Sequence, residues 1–310
     1  MRFECLYCLF HRAERQIERL TTNEELRFRA LAGVIRIIAN HVDPSGSENI
    51  SHPLRLCPSY IGTKRDRFLQ TFFQVVDIYK KEKSETKAQT LYLWRMIQNE
   101  MKSLSNLQKQ LNKALALATA ANIIEYDLLT QKREPNINQK IEFVFNFAEK
   151  EWDDLSYELI PNFLSNIKSA NKILYLTDNI GETVFDAKVI DILLHLGKDI
   201  IIAGKSKPIL NDATYLDLRE LWDKINCKND LKIISIGTNS VGLLLDEVSD
   251  EFQEAMSECD LIIAKGMGHF ETLPEYDWNQ AVWCLFRTKC NPVAMEANSI
   301  LGKNCIRKIA

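Results

Sequence analysis

The 310-residue sequence predicts an α/β protein: an all-helical domain, residues 1–170, precedes a Rossmann-like domain, residues 171–310, whose mainly parallel sheet is flanked by helices. Three observations predict it. Hydrophobic spacing changes near Ala170 from a helical period to short β-branched runs. Four such runs, Lys172 to Leu176, Asp199 to Ala203, Lys232 to Ile236 and Leu261 to Ala264, start 27, 33 and 29 positions apart, a spacing that suits βαβ units. Each run also enters a polar loop that carries glycine.

Composition narrows the class further. Hydrophobic residues at 46% and charged residues at 26% give a globular balance rather than a disordered one. A net charge of -3 argues against a nucleic-acid binder that relies on neutralising phosphates. No run reaches the 18 apolar residues of a membrane span. The apolar run Cys5 to Phe10 is too short for a secretory signal and meets His11, Arg12 and Glu14 at once, so the eight cysteines are expected to be reduced and the protein cytoplasmic. Cys227, Cys259 and Cys284 read as small core hydrophobes.

Helices are expected over Arg12 to Leu20 and Glu24 to Val42, the second capped by Asn23 and presenting Phe28, Leu31, Ile35, Ile38 and Val42 as its apolar face. Pro44, Gly46, Pro53 and Pro58 make Asp43 to Tyr60 a loop. Helical spacing resumes over Arg65 to Lys83, again from Tyr92 to Ile124, and once or twice between Asn136 and Leu164. The mixed-sign run Lys80 to Lys87 reads as a solvated helix face. Between the first two strands, Val184, Phe185, Val189, Ile192, Leu193 and Leu196 form one face of a helix that stops at Gly197. Ala281 to Phe286 reads as a further strand.

Right-handed crossovers put the loops after parallel strands on one edge of the sheet, where ligands bind. Asp178, Asn179 and Asp212 then offer oxygen ligands that suit Mg²⁺ or Mn²⁺ rather than zinc or copper. Glycines 237, 242, 266 and 268 let backbone N–H groups approach an anion, and Lys265 adds positive charge. Oxygen ligands beside oxyanion donors describe a phosphoryl-group site. Singly, Asp178 or Asn211-Asp212 is more often a turn or a helix cap, and Lys265 a solvated lysine. The joint pattern on one edge outweighs those readings. Glu182 is placed to act as a general base or to orient Asp178; its plain alternative is an acid in a helix first turn.

Cys5 and Cys8 share a helix face that His11 extends, and a structural metal there would draw a further ligand from Cys57 or His52. C-x-x-C alone is half a zinc signature, and no strand precedes it as a redox motif would need. His195 reads as a surface or core residue.

At these positions the chain resembles a known family. Thr177-Asp178-Asn179-Ile180-Gly181-Glu182 with Phe185-Asp186, Lys207-Pro208-Ile209-Leu210-Asn211-Asp212-Ala213-Thr214, Gly237-Thr238-Asn239, and Ala264-Lys265-Gly266 with Phe270-Glu271-Thr272-Leu273 look like the motifs of the damage-control phosphatases. Cys5-x-x-Cys8 with Gln16, and Asp77-Ile78-Tyr79-Lys80 with Lys83, resemble motifs of the prokaryotic branch. The resemblance implies a metal-dependent phosphatase acting on phosphate monoesters of small metabolites, sugar phosphates or damaged phosphometabolites. It implies Asp178, Asn179 and Asp212 as ligands of a divalent cation (Mn²⁺, Mg²⁺, Co²⁺ or Ni²⁺). Asn239, Lys265 and Asn122 would hold the substrate, with Asp178 and Glu182 catalytic. The chain departs from the family where it has Ala121-Asn122 with Glu125, and at Met267 and His269.

Two other classes remain open at this point. The Rossmann-like half also suits an S-adenosylmethionine-dependent carboxyl methyltransferase, a label given to members of this family, although the first loop has only Gly181. A non-enzymatic metal- or redox-sensing module would use the cysteines instead.

Overall fold

A computed structural model describes residues 1–43, 52–124, 137–225 and 231–310. Cys227, Glu125 and residues 44–51 of the expected loop lie outside the described residues.

Eight helices precede the first strand among the described residues: α1 (Phe3–Leu20), α2 (Glu24–Val42), α3 (Pro58–Phe72), α4 (Lys80–Ala88), α5 (Thr90–Lys102), α6 (Leu107–Ala120), α7 (Ile137–Phe147) and α8 (Asp154–Ser169). The second half alternates: β1 (Lys172–Leu176), α9 (Thr183–His195), β2 (Asp199–Gly204), α10 (Tyr215–Ile225), β3 (Lys232–Ser235), α11 (Asp250–Glu258), β4 (Leu261–Lys265), α12 (Met267–Thr272), β5 (Ala281–Arg287), α13 (Asn291–Glu296) and β6 (Asn304–Lys308). The sheet runs β3-β2-β1-β4-β5-β6, parallel except for β6, which returns antiparallel beside β5.

Period 2 divides the sheet's side chains between its faces. Ile173 and Tyr175 of β1 join the core formed with α5, α6, α8 and α9, while Leu174 and Leu176 join the opposite core with Phe252 and Phe286. Helices α1 to α3 form a third core around Leu9, Ala13, Val34, Ile61 and Leu69, and Ile209 and Leu210 of the loop after β2 pack into it.

Several local expectations change. Helix α1 begins at Phe3, nine residues before Arg12, because Cys5, Leu9, Ala13 and Ile17 recur at four-residue steps and all are buried. In α2, Asn23 does cap, accepting from the Leu26 N–H, but the buried face is Ala30, Val34, Ile38 and His41. Phe28 and Ile35 are exposed instead, at 71% and 46%. Pro58 opens α3 rather than prolonging a loop, since proline's missing N–H costs nothing in a first turn. The expected helix from Arg65 to Lys83 ends at Phe72 beside Gln74, which has φ of 52°. Asn106, accepting from the Lys109 N–H at 2.9 Å, restarts the expected helix from Tyr92 as α6. No described helix is long and apolar enough to cross a membrane.

Candidate active site

The strand order reverses between β1 and β4, since β2 lies on one side of β1 and β4 on the other. Such a reversal opens a crevice at the carboxyl ends of the strands, because successive connections leave in opposite directions. Asp178 follows β1 and Gly266 follows β4, so the crevice lies between them.

A cavity of about 320 Å³ occupies this place. Asp178, Asn179 and Asp212 line it on the sheet side, and Leu9, Pro58, Val241 and Met267 supply apolar wall. Backbone pairing joins the two acidic loops. Ala213 N–H donates to the Asp178 carbonyl at 2.8 Å and Ile180 N–H to the Asn211 carbonyl at 2.9 Å. The helical half fixes the second loop. Gln16 donates to Asp66 at 2.9 Å, and Asp66 accepts the N–H of Leu210, whose φ is 43°. Gly266, at φ of 86°, lets α12 approach Asp178; a Cβ there would stand 1.9 Å from Asp178 Oδ2.

Beneath Asp178 lies a layer of buried polar groups. Asn122 Nδ2 donates to Asp178 Oδ2 at 2.8 Å and to Glu182 Oε1 at 2.7 Å. Asn179 Nδ2 donates to the same two oxygens, at 2.8 Å each. Lys265 Nζ donates to Glu182 Oε2 at 2.6 Å, Asp186 Oδ1 at 2.9 Å and the Ala118 carbonyl at 2.8 Å. Burial raises the Glu182 carboxyl, but the charges of Lys265 and Lys289 outweigh it and hold the group below its ordinary value. Asp186 is pushed up to about 6, by burial and then by Glu182, against the pull of Lys265.

Lys265 is therefore placed under the site rather than on the cavity wall. Asn239 also lies off the cavity, accepting from Arg67 Nε at 3.0 Å while Arg67 also binds Glu247. Asn122 and Glu182 are fully buried behind Asp178.

Sequence reasoning missed four residues here. Lys205, at 1% exposure, has Nζ 3.8 Å from Asp212 Oδ2 and donates to the Gly242 carbonyl. Burial pushes its ammonium below the ordinary lysine range, opposed by Asp212 and Asp178. Lys289 and Arg12 line the cavity, as does Cys290. The signal for Lys289 was its place just after β5, on the edge where the other loops gather. His269 sits behind the wall: Nδ1 donates to the Lys265 carbonyl at 2.6 Å, and burial with the charge of Lys205 lowers it to about 3, so the ring is neutral.

Cys5 and Cys8 line the outer wall. Each suggested co-ligand has another partner. His11 stands 3.6 Å from Glu14, His52 stacks on Tyr60 and stands 3.5 Å from Asp246, and the Cys57 thiol donates to the Glu271 carbonyl. Burial raises the Cys5 thiol and pushes Cys290 up to about 12, so both are protonated at neutral pH. His195 is a surface residue bonded to the Asp191 carbonyl.

The profile of the damage-control phosphatase ARMT1-like domain matches residues 1–304. The chain belongs to the damage-control phosphatase ARMT1-like family. A damage-control phosphatase of Pyrococcus horikoshii is 32% identical over 96% of this chain and 93% of its own. A damage-control phosphatase of Archaeoglobus fulgidus is 33% identical over 43% of this chain and 45% of its own. The crystal structure of a DUF89 family protein from P. horikoshii superposes with a TM-score of 0.78 at 29% identity, covering 100% of this chain and 99% of that one. In this damage-control phosphatase family member, Asp178, Asn179 and Asp212 of the two acidic loops line the cavity floor, and Asn122 braces Asp178 from beneath.

Proposed function

We propose that the protein is a metal-dependent phosphatase that hydrolyses phosphate monoesters of small metabolites, among them sugar phosphates or damaged phosphometabolites. The observation that carries this reading is the convergence of Asp178, Asn179 and Asp212 on one cavity floor. Family membership supports the reaction class.

The donor set fits a hard cation. It consists of two carboxylates and an amide, with no soft ligand among them. Among the described residues no three His, Cys, Asp or Glu side chains gather at ion-binding distance, which is consistent with a set whose third member is the Asn179 amide. The carboxylates of Asp178 and Asp212 stand at the floor with one buried ammonium beside them, Lys205, 3.8 Å from Asp212 Oδ2, while Lys265 is engaged by Glu182 and Asp186 beneath. Mn²⁺, Mg²⁺, Co²⁺ and Ni²⁺ are the cations this set would take. When bound, the cation supplies Lewis acidity and neutralises charge on the phosphoryl oxygens.

The protein's own residues do the rest. Lys289 and Arg12 present positive charge on the cavity wall for an anionic ester. Apolar wall from Leu9, Val241 and Met267 excludes water around the leaving group. Glu182 is wholly buried and fully engaged, so its part is to orient the amides rather than to deprotonate water. The methyltransferase reading is weakened by Gly181. A Cβ there would stand 2.5 Å from Ile124, so this glycine makes room for that side chain rather than for a nucleoside.

Incubating purified protein with a panel of phosphate esters and each of the four cations tests the proposal. Turnover that requires added cation and vanishes in Asp178→Ala is the expected result. Absence of release from every ester with every cation would refute it.

A further inference from the structure

Four wholly buried side chains, Tyr175, Asp186, Lys265 and Glu182, lie under the cavity floor and form one connected network. We propose that Lys265 and Asp186 are positioning residues: they hold Glu182 so that it fixes the side-chain amides of Asn122 and Asn179, and so turns the Asn179 carbonyl oxygen toward a cation. This rests on the metal-dependent reading above and adds what makes the amide a competent ligand.

A side-chain amide can sit in two orientations that differ by half a turn, and only its neighbours choose between them. Here the choice is enforced by acceptors. Asp178 Oδ2 and Glu182 Oε1 both receive hydrogen from Asn179 Nδ2, and Asn122 Nδ2 braces the same two oxygens. Ionised carboxylates only accept, so a reversed Asn179 would set oxygen against oxygen and point N–H groups at the cation. Glu182 must stay ionised and stationary for this to hold. The Asn179 backbone N–H, 3.2 Å from Oε1, pins one end, and Lys265 at 2.6 Å pins the other.

Lys265 cannot serve as a phosphate contact in this arrangement. An ammonium has three N–H donors, and all three are taken by Glu182, Asp186 and the Ala118 carbonyl. Asp186 is the costlier member. Its Oδ1 accepts from Lys265 and from Tyr175 OH at 2.7 Å, but its buried Oδ2 makes no hydrogen bond. A half-satisfied buried carboxylate is a poor stabiliser, whereas it is an effective way to hold one ammonium at one point.

The sign of one measurement separates positioning from plain electrostatics. In Lys265→Met, Coulomb's law alone predicts tighter Mn²⁺ binding, because a nearby positive charge is gone. Positioning predicts weaker binding, by about 10–100-fold, the usual loss when a metal ligand's support is removed. Two readouts apply to the full-length protein. Mn²⁺ affinity is measured by electron paramagnetic resonance of the free ion. Asn122 and Asn179 side-chain amide signals are followed in metal-free, asparagine-labelled protein by NMR. Weaker Mn²⁺ binding with loss of the two resolved amide pairs is expected, and Asp186→Asn, which loosens the anchor of Lys265 without removing the ammonium, should loosen the same amides in smaller measure. Asp186→Asn also carries the amide test should Lys265→Met fail to fold; amide pairs as well resolved in it as in wild type would overturn the proposal. So would unchanged amides in Lys265→Met, or Mn²⁺ binding as tight as wild type with weakened inhibition by inorganic phosphate. Wild-type protein that binds no Mn²⁺ would sink the cation reading alone, and the metal-free spectra would still decide the positioning role.

Discussion

The loops after β1 and β3 look alike as sequence and land in different places. Thr177-Asp178-Asn179-Ile180-Gly181 and Gly237-Thr238-Asn239-Ser240-Val241-Gly242 each follow a β-branched run and pair small polar residues with glycine. Asp178 and Asn179 reach the cavity; of the second loop only Val241 does. The cause is strand order. β1 borders the reversal, whereas β3 is the edge strand two places from β1, roughly 10 Å away at ordinary strand spacing. Asn239 is drawn instead into a clamp with Arg67 and Glu247 that ties the loop to α3. Position in the sheet thus decides which of two similar loops reaches the cavity, according to their distance from the reversal.

The largest expected effect comes from breaking the first loop. Asp178→Ala should cost at least about 10²–10³ in turnover, the loss typical of a single oxyanion stabiliser, since the cation would lose a carboxylate. Metal-free thermal melts should be little changed, because the Asn122 and Asn179 amides keep Glu182 as acceptor. A variant that melts early yet turns over normally would make Asp178 a structural cap. Next comes Gly266→Ala. With φ of 86° and a Cβ 1.9 Å from Asp178 Oδ2, the methyl group must displace the carboxylate. Mn²⁺ titration should show about 10–100-fold weaker binding; unchanged affinity would mean that Asp178 has freedom to move.

Much of this was legible in the sequence, and the illegible parts share a physical origin. β1, β2 and β4 were readable because strands buried on both faces are continuous apolar runs. Convergence of Asp178 with Asp212 followed from crossover handedness. Strand order was not readable, so the sequence put Asn239 on the same edge as Asn179, whereas the structure sets it off the cavity. Side-chain depth was not readable either. Lys205 and Lys265 each follow or end a strand, and only the packed structure shows that both are buried against carboxylates. Helix α2 illustrates a third limit. Phe28, Leu31, Ile35, Ile38 and Val42 keep helical spacing, yet the face carrying Ala30 and Val34 packs inward, because small residues let α1 and α3 approach. β6 is short and carries Asn304, Arg307 and Lys308, so nothing marked it as a sheet strand; Asp153, at the start of α8, anchors it by binding Arg307.

Asn239→Ala sharpens the comparison from the other side. If the clamp is its only work, turnover should change by no more than roughly twofold, as for substitutions away from a working site. If Asn239 instead held substrate phosphate, loss of that donor would cost about 10² or more. Steady-state kinetics at saturating cation decides between the two. A hundredfold loss would return the β3 loop to the active site and undo the contrast.

The smallest effect, and the one that tests the clamp itself, is a pH dependence of stability. Arg67 donates to both oxygens of Glu247, and Thr238 OH donates to one of them at 2.7 Å. The Arg67 hydrogen bonds hold the Glu247 carboxyl down to about 2, against partial burial and with help from Thr238. A carboxyl whose pKa is lower folded than unfolded binds more protons in the unfolded chain, so its stabilisation is complete above the unfolded value near 4.5 and disappears as pH falls toward 2. Glu247→Gln removes that contribution at neutral pH. The side chains of Arg67 and Glu247 are each 27% exposed, so screening by water keeps the effect near the about 0–1 kcal/mol of partly exposed pairs. Wild type should therefore melt slightly above Glu247→Gln at pH 7, and the gap should narrow steadily between pH 4.5 and 3. Turnover at pH 7 should be the same in both if the clamp only orders a loop whose Asn239 lies off the cavity. A melting gap independent of pH would show that packing rather than charge holds the β3 loop to α3, and a loss of turnover would show that the two loops are not separate after all.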